Sequence, residues 1–257
     1  MSAPDSLTTR IPNGVTNAAV YATMAAAGMP DPSWAHLYHN DFDTYLASDW
    51  TVTKVGAGTT ALAAVDGGQL LITTTAGAAD AVYNQLTTAG FKLQAGKDMF
   101  FKFSGVLADV STEVFYAGMI ATSATPLAAA DGIWITKAAG TAALVLNIAI
   151  GGVLTTAPFP AAIALVAGVQ FELGLHIDYL GNVEAFFNPG TGADWAQLGP
   201  DSNNPTLNAR GRQVFVPNAS ITGGLTQALL NPSFGILNTS AAAHTLGVDY
   251  VTAVRNR

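Results

Sequence analysis

The sequence contains no cysteine, so neither a disulfide bond nor a thiolate metal site can contribute to its stability or chemistry. Charge is also scarce: charged residues make up 11% of the chain, against about 25% in an ordinary soluble domain. A free monomer usually carries more charge on its surface. Three classes fit this composition: a membrane protein, a secreted domain rich in small residues, or a protein whose surface is covered by partners.

Long apolar runs and basic clusters are missing too. A membrane-spanning helix needs about 20 consecutive apolar residues. The best candidate segments fall short, because glycines and Asn147 interrupt 138–153 and two prolines interrupt 157–169. The ten Lys and Arg residues are scattered through a chain of net charge −7, whereas nucleic-acid binding needs a basic surface. We therefore expect neither a membrane nor a nucleic acid as a partner.

The first 37 residues differ in character from the rest of the chain. We predict that 1–37 form an N-terminal arm that contains a short helix ending near Gly28, a typical helix stop. Val20, Tyr21 and Met24 are the predicted partner-binding residues of this arm, with Val20 and Met24 one helical turn apart. A helix this short is marginal alone, so we expect it to dock on a partner.

From residue 38 to 257 the pattern is one of short β-strands separated by turn residues. Val169–Tyr179 alternates apolar and polar side chains, which predicts a strand with one buried face. A turn at Gly181-Asn182 leads into Val183–Asn188, so the two segments are predicted to form a hairpin. Residues 189–212 are rich in Gly, Pro, Asn and Asp and predict a long loop. The sequence therefore predicts a single all-β sandwich domain after the arm.

Four segments carry a resemblance to a known family. They are Tyr38–Tyr45 with Asp49–Val52, Asp66–Ile72, Phe171–Asp178 with Gly181–Phe186, and Pro232–Gly235 with Leu246–Val251. Together they resemble the concanavalin A-like or laminin-G-like sandwich, in the version found in structural proteins of tailed bacteriophage virions. The resemblance covers roughly residues 38–254. It implies a jelly-roll sandwich of two antiparallel sheets.

The resemblance also implies a function without catalysis. It indicates a capsid decoration or cement protein that lies on the capsid surface of the virion and stabilises the head shell. The expected partners are the major capsid protein and further copies of this chain, as a dimer or a trimer, and no cofactor is expected. The alternative is a carbohydrate-binding module of a tail or fibre protein that contacts the host surface.

Acidic and histidine residues near the start of the sandwich are the only candidates for a metal site. In an extended strand, His39, Asp41 and Asp43 would share one face. We nevertheless expect no bound metal, and instead predict that these residues lie at the junction between the arm and the sandwich. His176 and Asp178 share the polar face of the predicted strand, and we expect both to be exposed to solvent.

Catalytic residues are not expected either. Retaining and inverting glycosidases need two carboxylates that flank the scissile bond, and Glu occurs only at positions 113, 172 and 184. None of the three has a carboxylate two residues away, and the remaining alternative is that Glu172 and Glu184 face each other across the hairpin. No nucleotide-binding glycine motif or serine-hydrolase motif is present.

Aromatic residues suggest where the protein associates with itself or with a ligand. We predict that Trp50 and Trp134 lie in the core. Phe187 and Trp195 are the predicted self-association or ligand surface, because the hairpin and the loop that follows it contain more aromatic side chains than one core face can accommodate.

Overall fold

The structure is a computed structural model that describes residues 35–256 except 66, 88–89, 95, 160–162, 179–180, 191–195, 199–205, 208–212 and 215–227. The predicted arm residues Val20, Tyr21 and Met24 and the predicted short helix lie outside the described residues, as does Trp195. The described part is all-β, with two short 3-10 turns at Ala47–Asp49 and Pro126–Ala128. None of its helical turns is long and apolar enough to cross a bilayer.

The strands form two eight-stranded sheets and are numbered in chain order. The front sheet contains β1 (Ala35–Asn40), β3 (Thr59–Leu62), β4 (Leu70–Thr73), β7 (Met99–Leu107), β12 (Gln170–Ile177), β13 (Val183–Asn188), β14 (Ala196–Leu198) and β18 (Thr245–Asn256). The back sheet contains β2 (Trp50–Val55), β5 (Ala81–Leu86), β6 (Phe91–Lys92), β8 (Glu113–Ala121), β9 (Gly132–Lys137), β10 (Leu144–Ile150), β11 (Val153–Pro158) and β17 (Leu229–Asn238). A separate two-stranded ladder pairs β15 (Thr206–Leu207) with β16 (Gln213–Val214).

The strand order mixes neighbours in the chain with distant segments. The front sheet runs β14-β13-β12-β7-β18-β4-β3, and β1 pairs with β18 beside β4. The back sheet runs β11-β10-β9-β8-β17-β5-β2, and β6 pairs with β17. The strand pairings of the described residues in each sheet are antiparallel, as they are in jelly-roll sandwiches. The predicted sandwich of two antiparallel sheets is confirmed.

The sandwich begins slightly earlier than the sequence indicates. Ala35, His36 and Leu37 were assigned to the arm, but they belong to β1 and pair with the end of β18. The predicted loop 189–212 is also not wholly irregular, because β14 lies within it and extends the front sheet beside β13. The first difference comes from pairing with a strand far away in the sequence and the second from pairing with the preceding strand, and local composition reports neither.

The core lies between the sheets and is rich in aromatic side chains. Phe103 and Phe171 from the front sheet meet Phe115 and Phe234 from the back sheet, with ring centroids 5.4–6.1 Å apart. Strand alternation places these rings inward and leaves their neighbours on the outer faces. Trp50 packs against Phe234 in this core, as predicted.

A second apolar cluster covers part of the outer face of the back sheet. Trp134 is buried there with Tyr83 and Tyr116, beneath the turn at Pro126–Ala128. The prediction that Trp134 is buried is thus confirmed, although it lies outside the main core. Both broad faces of the back sheet are therefore partly covered, and its exposed apolar groups lie mainly at its margins.

Candidate functional site

The outer face of the front sheet carries a connected group of polar side chains around Glu172 and Tyr250. Glu172 Oε1 accepts a hydrogen bond from the Tyr250 hydroxyl and lies 2.9 Å from the Lys102 ammonium nitrogen. Its Oε2 accepts a hydrogen bond of 3.1 Å from Asn188 Nδ2. Lys102 Nζ also lies 4.9 Å from the centroid of the Tyr250 ring, a distance suited to a cation–π contact. Four strands thus contribute to one polar surface.

The electrostatics of this surface keep Glu172 ionised. Burial acts to raise its pKa, but the hydrogen bonds from Tyr250, Lys102 and Asn188 and the charge of Lys102 outweigh burial, so the pKa lies below its ordinary value. Burial and the hydrogen bond to Glu172 raise the pKa of Tyr250, which therefore remains a donor. Both oxygens of the carboxylate therefore accept hydrogen bonds within the protein.

A buried histidine lies further along the same face. His176 Nδ1 is 2.7 Å from Glu184 Oε2, and Nε2 is 3.8 Å from Asp98 Oδ1. Its ring stacks on Phe100 at a centroid distance of 4.4 Å. The prediction that His176 and Asp178 are exposed is wrong, because both side chains are buried. The alternation of apolar and polar residues correctly predicts that they lie on the outer face, but this part of the outer face is shielded from solvent.

The two glutamates of this face do not form a glycosidase pair. In the β12–β13 hairpin, His176 stands opposite Glu184 and Glu172 stands opposite Asn188. Glu172 and Glu184 are therefore offset by four residues along the strands, roughly 13 Å at about 3.3 Å per residue. Glycosidase carboxyl groups lie about 5–9.5 Å apart. The suggestion that these two residues face each other across the hairpin is wrong.

The weak metal candidates are separated by the geometry of the chain. β1 ends at Asn40, whose Oδ1 accepts a hydrogen bond of 2.8 Å from the Phe42 N–H, and buried Phe42 adopts a left-handed conformation with φ of 55°. The chain therefore turns here, and the extended run does not continue through Asp41 and Asp43. His39 lies on the front sheet with Nδ1 2.7 Å from Thr252 Oγ1, whereas Asp41 and Asp43 are exposed in the turn. Within the described residues, no group of three or more His, Cys, Asp or Glu side chains is positioned to hold a metal ion.

Phe187 does not lie on the surface. Its side chain is 3% exposed and belongs to the core, and it stands opposite Leu173 in the hairpin. The prediction that Phe187 forms a self-association or ligand surface is wrong, because strand alternation directs it inward and turns Phe186 outward.

Sequence reasoning missed a pair of ionisable groups inside the sandwich. Glu113 and Lys137 are both fully buried, and Lys137 Nζ donates to the carbonyl oxygens of Glu113 and Ala138. Burial raises the pKa of Glu113 to about 8, against the opposing effect of the Lys137 charge. The alternation of Glu113, Phe115 and Ala117 along β8 could have revealed this inward position.

A second missed cluster closes one end of the sandwich. His244 Nδ1 lies 3.5 Å from Asp109 Oδ2, and its Nε2 lies 2.8 Å from Ser240 Oγ and 3.1 Å from Thr112 Oγ1. Hydrogen bonds from Ser111 and Thr112 lower the pKa of Asp109 below its ordinary value. The hydroxyls of Ser240 and Thr112 also bond to Asn238 and Asp109, so the cluster ties two end loops together.

Comparison with known proteins identifies the architecture. No family model and no curated protein matches the sequence. Among solved structures, lectin II from Ulex europaeus aligns with a TM-score of 0.56 at 8% identity, over 86% of this chain and 99% of that one. The endo-beta-1,4-glucuronan lyase from the fungus Trichoderma reesei aligns with a TM-score of 0.54 at 14% identity, over 84% and 94%. The endo-1,3-beta-glucanase from Streptomyces sioyaensis aligns at 0.52 and 14%, over 88% and 98%.

The fold is the concanavalin A-like β-sandwich. At these identities the likeness establishes the architecture alone, since lectins and polysaccharide-cleaving enzymes both share it. The predicted concanavalin-like fold is confirmed, and the chemistry has to be argued from this chain's own residues.

Proposed function

We propose that this protein is a non-catalytic structural subunit that packs against other protein subunits, as a decoration or cement protein on the head shell of a tailed bacteriophage. Its partners would then be the major capsid protein and further copies of itself. The capsid surface of the virion would be its location.

The exposed edges of the sandwich carry this proposal. Large apolar side chains are exposed on edge strands of both sheets: Val55 on β2, Leu62 on β3, and Val153 and Leu154 on β11. A monomeric protein usually protects such edges with charge, yet charged residues form only 11% of this chain. Apolar edges with little charge suit close packing against neighbouring subunits.

The phage setting is supported by the resemblance of the four sandwich segments described above. A non-catalytic role is supported by the carboxylates. Glu172 is held as an ionised acceptor by Tyr250, Lys102 and Asn188, and Glu113 is enclosed in the core. Glu184 is buried beside His176, and it lies four residues along the hairpin from the position opposite Glu172.

Quantitative mass spectrometry of purified particles tests the proposal. A decoration protein should be present in proportion to the major capsid protein and should rebind particles from which it has been removed. Met24→Asp in the predicted arm should weaken rebinding, while Leu46→Asp, at an exposed position outside the arm, serves as the matched control. Detection of only a few copies per particle, or of none, would contradict the proposal.

A carbohydrate-binding module is the second candidate, and the Tyr250 surface favours it. Sugar sites commonly combine an aromatic ring with carboxylate, amide and ammonium groups, and Tyr250 is surrounded by Glu172, Asn188 and Lys102. Titration calorimetry with oligosaccharides tests this candidate. Tyr250→Ala should abolish binding, whereas Tyr45→Ala, in the segment between β1 and β2, should not. Absence of binding across a broad glycan array would contradict it.

A further inference from the structure

We propose that β11 is a self-pairing edge, through which two copies of this chain join their back sheets in antiparallel register about a twofold axis at Thr155. This inference rests on the proposed function as a packing subunit and names the first partner, which is a second copy of the chain.

The outer side of β11 offers backbone groups for pairing. β11 is the terminal strand of the back sheet and pairs with β10, and no other strand in the described residues pairs with it. The two-residue turn Gly151-Gly152 makes Ile150 and Val153 a hydrogen-bonded pair. Alternation then makes Ile148 and Thr155 the next hydrogen-bonded pair, so the N–H and C=O groups of Leu154 and Thr156 point away from β10.

The side chains of this edge are apolar and exposed. Val153 is 70% exposed and Leu154 is 51% exposed, and Thr156 is also exposed. No charged residue or histidine stands anywhere between Lys137 and Glu172, so the whole β10–β11 hairpin is uncharged. Each chain has a net charge of −7. A second copy can therefore approach this edge without bringing like charges together there.

The other edges also expose apolar side chains, but each has a feature that disfavours pairing more than β11 does. β2, at the opposite edge of the back sheet, carries exposed Lys54. Two edge strands of the front sheet are short, with four residues in β3 and three in β14. The third, β1, has six residues and contains His36 and His39. Charge and short length are the usual means by which edge strands avoid pairing. β11 has six residues, and the feature in it that interrupts pairing is its last residue, Pro158, which has no N–H.

The geometry of β11 is complementary to itself. With Thr155 on the axis, Leu154 pairs with Thr156 of the second copy and Thr156 with its Leu154, which uses all the outward N–H and C=O groups of these residues. The exposed Val153 then stands opposite the small Ala157 of the other copy. Thr155 faces Thr155 in a non-hydrogen-bonded pair, with Cα atoms about 4.5 Å apart. That spacing falls within the range that a disulfide bond can bridge.

Cysteine crosslinking of the full chain tests the register. The protein contains no cysteine, so Thr155→Cys introduces one defined thiol. Mild oxidation should convert it to a covalent dimer of about twice 26.3 kDa, whereas Leu62→Cys on β3 should remain largely monomeric. Absence of a Thr155→Cys dimer under conditions where the unmodified protein associates would overturn the register.

Sedimentation velocity of the cysteine-free protein tests the association itself. Leu154→Pro removes an N–H that points away from β10, so the hairpin keeps its own hydrogen bonds. Because two of the four intermolecular hydrogen bonds are lost, association should weaken roughly tenfold or more. Thr156→Lys is the second variant and should weaken association in the same direction; Leu62→Lys is the control.

The possible results separate this inference from the proposed function. A protein that is monomeric at all concentrations, or a Leu154→Pro variant that associates as strongly as the unmodified chain, would overturn pairing through β11. Pairing of β11 with a different capsid protein only, detected as a mixed crosslink of Thr155→Cys on particles, would also overturn it. Particle occupancy is measured independently, so decoration can stand when dimerisation fails.

Discussion

Replacing Glu113 with glutamine is expected to make the protein more stable at neutral pH. The Glu113 side chain is fully buried, and neither carboxylate oxygen has a hydrogen-bond partner among the described residues. Burial raises its pKa from the ordinary 4.5 to about 8, although Lys137 opposes this effect. Glutamine has the same shape as the neutral acid and never becomes charged.

The sign follows from the two pKa values. Below pH 4.5 the carboxyl group is protonated in both the folded and the unfolded chain, so it adds no pH dependence. Between pH 4.5 and 8 the unfolded chain ionises first, and stability falls as the pH rises. With the pKa at about 8 in the folded protein, the cost is about 3 kcal/mol at pH 7 and approaches about 5 kcal/mol above pH 8.

Urea unfolding monitored by tryptophan fluorescence, from pH 4.5 to 8.5, measures this difference. Glu113→Gln and the unmodified protein should have similar stability at the acid end, and the variant should be more stable by a margin that grows with pH. Glu172→Gln is the control. The pKa of Glu172 is lowered, so its carboxylate contributes stability above the ordinary value, and the control variant should be less stable at neutral pH.

The opposite result has an equally clear meaning. If Glu113 and Lys137 form an ionised pair in the core, Glu113→Gln would leave a buried ammonium group without its counter-charge. Breaking a buried pair from one side costs about 3–5 kcal/mol. A variant that is destabilised by this amount at pH 7 would therefore refute the reasoning that Glu113 is held neutral.

Three further predictions follow from individual contacts. Phe187→Ala should lower the free energy of unfolding by about 3–5 kcal/mol and leave self-association unchanged, because its side chain is buried in the core. Phe186→Ala, on the outer face, should lower the free energy of unfolding by less than half as much. Chemical denaturation measures the stabilities and sedimentation measures the association. Tyr250→Phe should cost about 1–2 kcal/mol and raise the pKa of Glu172 in an NMR titration, because one hydrogen bond to the carboxylate is lost. The lowered pKa of Asp109 means that its carboxylate stabilises the fold above about pH 4 and that this stability is lost as the pH falls further. Asp109→Asn should remove this contribution, so the stability of the variant should depend less on pH in the acid range. Acid unfolding curves measure the difference.

The fold was largely predictable because its signals are local. The alternation in β12 and the turn at Gly181-Asn182 indicate the central hairpin without any tertiary information. The same hairpin register could also have predicted that Phe187 is buried, because Phe187 stands opposite Leu173, which alternation already places inward. Two adjacent phenylalanines cannot both point outward from one strand.

The candidate site was less predictable because it depends on distant segments. Glu172 on β12 and Tyr250 on β18 are far apart in the sequence. Their strands flank β7, and the two side chains meet across it. The burial of His176 depends on what covers the outer face of the front sheet, and alternation identifies the face without saying whether it is solvated. The strand ends before Asp41 because of a turn at residues 40–42, where Phe42 has a left-handed conformation that the sequence pattern does not report.

The distribution of the glutamates agrees with the proposed non-catalytic role of this chain. A general acid or base works best with a pKa near the working pH and within reach of the substrate. Burial raises the pKa of Glu113 toward neutrality, but its side chain is enclosed between the sheets. Glu172 is nearer the surface, but its pKa is lowered and both oxygens already accept hydrogen bonds from the protein. A raised pKa and proximity to the surface therefore fall on different glutamates, as the proposed non-catalytic role requires.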